Sequence, residues 1–166
     1  MLSKPSFSFE VLDITQEHNW QMPEWWYREK RPASDEAYFE NMCRVIFQAG
    51  LNWRVIDNKW PTTMKAFANF NIKKVACLTK IDVEGLMKDT GIVRNRSKIE
   101  AIIFNAQGFE AIEKTFGSFQ SYLDSLDKSN NYANVVKDLT SKFKHLGPSS
   151  ASLFLYTVAE KIDPWE

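Results

Sequence analysis

SDEAYFENMCRVIFQAGLNW, residues 34–53, places Tyr38, Phe39, Met42, Val45, Ile46 and Ala49 at steps of three and four. That spacing draws one apolar stripe along a helix. Ser34, after Pro32, suits the N-cap, because its hydroxyl can accept from a free amide of the first turn. Asp35 and Glu36 suit that turn, where their charge meets the positive end of the helix dipole. Gly50 suits the position just past the end, where the chain turns left-handed.

The same period continues along the chain. A second helix is expected from about Asn52 to just before Trp60-Pro61, with short helices near 63–69 and 72–77. Thr79 and Asp82 form a capping-box pattern that opens a helix at about 80–89, closed by Gly91. Residues 96–115 carry Ile99, Ile102, Ile103, Ala106 and Phe109 on one stripe and end at Gly117. A short helix follows at 118–126. The polar SLDKSNNYAN, residues 125–134, reads as a loop, and helices at about 134–145 and 149–160 flank Leu146-Gly147-Pro148. No segment alternates at period two for long, and there is no internal repeat or linker. The expected fold is all-α, a single helical domain over residues 1–166 whose successive helices pack as neighbours.

The composition agrees. The chain has 166 residues, 44% hydrophobic and 25% charged, which excludes a disordered chain. No apolar run reaches the roughly 18 residues of a membrane span. The first residues lack the apolar core of a signal peptide, so a cytoplasmic protein with no membrane partner is expected. Twenty-one basic residues balance 21 acidic ones, so any nucleic-acid surface must be local. Cys43, Cys77, His18 and His145 show no zinc-ligand spacing, and no cofactor or metal is expected. Trp20, Trp25 and Trp26 cluster beside a polar segment, either as core or lid, or as walls that stack a flat ligand.

Three constellations can carry chemistry. Lys142 to Ala151 reads as a hairpin whose glycine turn, Gly147, leads into a helix start at Ser149 and Ser150. Open amides there suit a phosphate, with Lys142 and Lys144 close by. An ordinary helix–helix turn with Ser149 as N-cap is the alternative. Arg94, Arg96 and Lys98 then cluster at a helix start, where cations oppose the dipole. Phosphate contact would explain that conflict, and a solvated helix end is the alternative. Lastly, Gly50, Leu51 and Trp53 follow a buried helix at a tight turn. Leu51 can wedge into a base stack and Trp53 can stack on an extruded base. A C-cap with its hydrophobic contact is the competing reading.

In order and spacing, Phe39-Glu40 with Gln48-Ala49-Gly50-Leu51-Asn52-Trp53, and Gly91 through Ile99, resemble the bacterial DNA-3-methyladenine glycosylase I family. That family is a branch of the helix-hairpin-helix DNA glycosylases. The resemblance covers about residues 20–163. It implies a monofunctional enzyme of base-excision repair that flips an alkylated purine such as 3-methyladenine and hydrolyses its N-glycosidic bond. The implied partner is double-stranded DNA with a damaged base, bound by a monomer. A catalytically altered or inactive lesion-recognition module on the same fold is the alternative. Carried over by position, Trp53, Trp25, Trp20, Glu24 and Val45 would surround the base. Gly50, Leu51, Arg94, Arg96, Lys98, Lys144, Gly147, Ser149 and Ser150 would contact DNA.

The departures from the family are specific. Val45 stands where the family carries a base-contacting glutamate. Losing one buried charged hydrogen bond costs about 2–3 kcal/mol of recognition. The positions of the family's zinc ligands hold Ser8, Gln21 and Pro164, with the last beyond the chain's end; packing by Trp20, Trp26 and Trp165 is expected to replace that staple. No lysine follows the hairpin glycine, so backbone cleavage through a Schiff base is not expected. The catalytic residue is unassigned; Glu24 and Asp163 are weak candidates, Asp163 being more simply a surface residue before Pro164.

Overall fold

The computed structural model describes residues 21–166. Trp20, His18 and Ser8 lie outside the described residues. Helix α1 spans Asp35–Gln48, α2 Trp53–Ala66, α3 Ile72–Ala76, α4 Lys80–Leu86, α5 Arg96–Phe116, α6 Phe119–Asp124, α7 Ser129–Lys142 and α8 Pro148–Thr157. The described residues contain no strand; one isolated bridge pairs Tyr27 with Val158. The fold is all-α, as expected.

The ends of α1 follow from local chemistry. Ser34 accepts from the Ala37 amide at 3.2 Å. The last turn closes with the Ala49 amide on the Val45 carbonyl, and Gly50 then takes φ +77°. The capping box at Thr79 and Asp82 is present. Asn95 caps α5 by accepting from the Lys98 amide at 3.1 Å.

Aromatic packing fills the centre. Phe109 stacks on Phe119 at 4.5 Å between ring centroids, and Phe39, Phe143 and Phe154 close around them. A second stack runs Phe67, Phe70, Trp60, at 5.6 and 5.2 Å and nearly parallel.

That second stack corrects one boundary. The helix expected to stop before Trp60-Pro61 continues through Pro61 to Ala66. Proline removes one ladder hydrogen bond. Burial of Ile56, Trp60 and Thr63 along one face compensates, and the Trp60 indole donates to Glu40 at 3.0 Å. Of the short helix expected near 63–69, residues 63–66 are helical as the end of α2, and the chain then turns left-handed at Ala68, Asn69 and Phe70.

The segment expected as a loop over 125–134 also differs. From Ser129 it belongs to α7, with left-handed Asn130, Asn131 and Tyr132. Long-range bonds hold it. The Asn131 side chain donates to the Asp163 carbonyl and accepts from the Asp163 amide. The Tyr132 hydroxyl donates to Glu160. Arg31 and Lys128 each pair with both Glu160 and Asp124, tying the first described segment to the last.

Candidate functional site

The C-terminal end of α1 meets the N-terminal end of α8, and a cavity of about 180 Å³ opens between them. Val45, Gln48, Ala49, Gly50, Trp53, Ser149, Ser150 and Leu153 line it. None of these side chains ionises at neutral pH. Trp53 opens α2, whose N-cap Asn52 accepts from the Arg54 amide at 2.8 Å. Trp26 packs edge-on against Trp53, centroids 6.3 Å apart.

Two side chains from the first turn of α5 hold this end of the molecule together. Lys98 is 7% exposed, and its ammonium donates to the carbonyls of Ala49 at 2.8 Å and Phe47 at 3.3 Å. A cation on the last carbonyls of a helix is well placed against the negative end of its dipole. Burial pushes the Lys98 amine below its ordinary pKa. Ser97 meets the ring of His145 at 2.6 Å across the turn between α7 and α8. The loop 49–53, the start of α5 and the α7–α8 turn are thus tied by neighbouring residues.

This placement corrects Lys98 as a phosphate contact: its charge is committed inward, and a buried ammonium cannot also reach a phosphate. Arg94 and Arg96 remain on the surface. Arg96 forms a two-pronged pair with Glu84 at 2.6 and 3.0 Å, which holds that carboxyl below its usual range. Lys144 is exposed, its ammonium 4.2 Å from the Phe104 ring centroid, and its amide donates to Asn105.

The left-handed residue of the α7–α8 turn is His145, at φ +59°. Gly147 has an ordinary φ of −75°, and a Cβ added there would meet nothing within 4 Å. Nothing among the described residues therefore demands glycine at 147. Leu51 is half-buried and packs against the core beside Gly50.

Other sequence candidates fall elsewhere. Glu24 is exposed and does not line the cavity. Trp25 packs edge-on to Trp26 and covers the Arg44 guanidinium at 4.8 Å, so it is a neighbour of the site and not a wall. Asp163 lies past the C-terminal end of α8, bonded to Asn131 and to the Trp165 amide. The cavity is lined by Ser149, Ser150 and Leu153, from the N-terminal half of that helix. Neither carboxylate is among the residues that line the cavity.

A zinc ion does not fit the residues present. Gln21 and Pro164 offer no zinc-ligand side chain, and no group of three or more His, Cys, Asp or Glu converges among the described residues. In that region Tyr156 lies between Trp26 at 5.6 Å and Trp165 at 5.8 Å, with Arg28 over its ring at 3.8 Å.

In the sequence Gln48 has no role beyond its place in the Gln48–Trp53 motif, and Leu153 has none. For Gln48 the signal was available, because it stands three residues after Val45 and so shares its helix face.

Residues 17–153 match the family described as methyladenine glycosylase. The chain belongs to that family. Among similar proteins of the family is the DNA-3-methyladenine glycosylase of Haemophilus influenzae, 35% identical over 112 residues, 67% of this chain and 60% of that protein. DNA-3-methyladenine glycosylase 1 of Escherichia coli is 33% identical over 107 residues, 64% of this chain and 53% of its own length. The chain thus spans between half and two thirds of the curated relatives it matches. A crystal structure of 3-methyladenine DNA glycosylase I aligns at a TM-score of 0.69 with 26% identity, covering 84% of this chain and 93% of its own. The Staphylococcus aureus 3-methyladenine DNA glycosylase I, solved for the basis of 3-methyladenine recognition, aligns at 0.67 with 26% identity, covering 95% and 92%.

Proposed function

We propose that this chain is a monofunctional DNA glycosylase that removes an alkylated purine such as 3-methyladenine from duplex DNA. The observation that carries the reading is the cavity walled by Trp53, Val45 and the start of α8. It offers an aromatic face to a flat base beside open helix amides that suit the flanking phosphate. Leu51 stands next to it at a tight turn, where it can fill part of the space that a flipped base vacates. Gly147 supports the reading, because a glycine with no internal reason suits close approach of a DNA backbone.

The chemistry asks little of charged side chains. A purine nucleoside methylated on the ring carries a positive charge. When the C1′–N9 bond breaks, its electron pair passes to N9 and the base leaves neutral. The sugar takes the charge as an oxocarbenium ion, and water adds to C1′ and loses a proton. The protein extrudes the nucleotide, orients the base and shields it from bulk solvent. Among the described residues no lysine lines the cavity, and the nearby Lys98 ammonium is held on the carbonyls of Ala49 and Phe47, so no amine is offered to trap the sugar and the reaction ends at the abasic site. The enzyme acts as a monomer in this proposal.

The test is release of free bases from methylated duplex DNA by wild type, Trp53→Ala and Val45→Glu. Wild type is expected to release 3-methyladenine, with at least a tenfold loss in Trp53→Ala. No release of any methylated purine by folded wild type in excess overturns the proposal. The uncharged cavity walls favour one second reading, a lesion-recognition module without turnover. It predicts tight binding to abasic-site DNA, no release by wild type, and recovery of release in Val45→Glu.

A further inference from the structure

Gln48 is 1% exposed, lines the cavity, and finds no hydrogen-bond partner for either amide atom among the described residues. Buried amides in native proteins are nearly always satisfied, and each exception needs a reason. The core could have accommodated an apolar side chain there, since Val45 on the same face is as deeply buried. The two carbonyls nearest in sequence are already engaged: Lys98 donates to Phe47 and Ala49 on either side of Gln48. That clamp fixes the backbone at 47–49 while leaving the Gln48 side chain uncommitted.

We propose that Gln48 selects the base: its primary amide reads the edge of an adenine-type purine held against Trp53. The inference rests on the base-pocket reading above. A primary amide presents a donor beside an acceptor. It pairs in two-pronged fashion with an edge that offers an acceptor beside a donor, as the adenine N7 and N6-amino groups do. Guanine offers N7 and O6, both acceptors, on the same edge, so the amide oxygen would face a lone pair. A methyl group on N3 leaves the adenine edge intact. The other walls cannot make this choice: Val45, Ala49, Gly50 and Leu153 are apolar, and the two serines can each donate or accept. The absence of an ionisable wall makes hydrogen-bond pattern, and not charge, the basis of selection.

The experiment measures calorimetric binding of free 3-methyladenine and free 3-methylguanine to the full chain, with Gln48→Leu and Gln48→Met as variants. Thermal melts of the unliganded proteins and base release from methylated DNA are run alongside. Wild type should prefer 3-methyladenine, and both variants should lose that preference through a 10- to 100-fold weaker affinity for it, about the worth of one or two buried hydrogen bonds. The unliganded variants should melt at the same temperature as wild type or higher, since an unsatisfied amide has been replaced by carbon. A structural glutamine would do the reverse. Retained preference in either folded variant, or a lowered melting temperature in both, overturns the inference. The two readings fail differently. If Gln48 controls binding of the free base but no protein releases it from DNA, base selection stands and glycosylase activity falls. If wild type and both variants release 3-methyladenine equally, the activity stands and selection by Gln48 falls.

Discussion

Lys98 separates two readings of a basic cluster, and replacing it with methionine tests them quantitatively. Methionine keeps most of the apolar stem that crosses the core and removes the ammonium. Two charge-assisted hydrogen bonds are lost, at 2.8 and 3.3 Å. Each is worth about 1.5–3 kcal/mol. The variant also avoids the desolvation of a buried charge, which offsets part of the loss. A net cost of about 2–3 kcal/mol remains. For a chain of this size that lowers Tm by about 4–12 °C. The paired assay is binding to duplex DNA holding an abasic-site analogue, over a range of salt concentrations. A side chain that contacts phosphate contributes about 0.9 to the slope of log affinity against log salt. Lys98→Met should leave that slope unchanged among the molecules that remain folded, whereas Arg94→Met should reduce it by about one without altering Tm. A Lys98→Met protein with wild-type Tm and a slope reduced by one would refute the inward role.

Two further outcomes are expected. Gly147→Ala fits the backbone and its surroundings, so stability should rise by about 0.4–1 kcal/mol, while affinity for duplex DNA falls; unchanged affinity would show that no phosphate approaches there. The Glu113 carboxyl is pushed up to about 7 by burial, then by a hydrogen bond with Asp35 and the charges of Asp35, Glu36 and Glu110. Its folded pKa thus lies above the unfolded value, so the stability it contributes is present at low pH and lost as pH rises through about 7. Melting profiles from about pH 4.3 to 7 should decline in wild type and be flatter in Glu113→Gln; parallel profiles would assign the decline to other groups.

How far the sequence carries depends on whether the deciding force is local. Helix α1 was legible at both ends, because Ser34 and Gly50 act on amides and carbonyls a few residues away. The capping box at Thr79 was legible for the same reason. Pro61 misleads, because the local rule counts the lost hydrogen bond and cannot see Trp60 stacked on Phe70. The left-handed turn at Asn130–Tyr132 depends on Asp163 and Glu160, some thirty residues further on. At the site, Trp53, Gly50, Ser149 and Ser150 could be proposed from motifs, and the fold brings them to one cavity. Lys98 is a different case. By charge it joins Arg94 and Arg96; by period it precedes Ile102 by four and shares the buried stripe. Period decides, since α1 needs a donor for its last carbonyls and Lys98 supplies it.

The cavity joins residues 45–53 to residues 149–153, so neither end of the chain possesses it alone. Three of its eight lining residues belong to α8, which also packs against α7. Any fluctuation that undocks α8 therefore abolishes the cavity together with the packing of Phe154 on Phe119. An occupant binds only the docked state and must favour it by mass action. The backbone amides of α8 should then exchange with solvent more slowly as the cavity fills, while those of the Phe67–Phe70 region barely respond. Recognition of a base and the cohesion of the two chain ends are, in this molecule, one equilibrium.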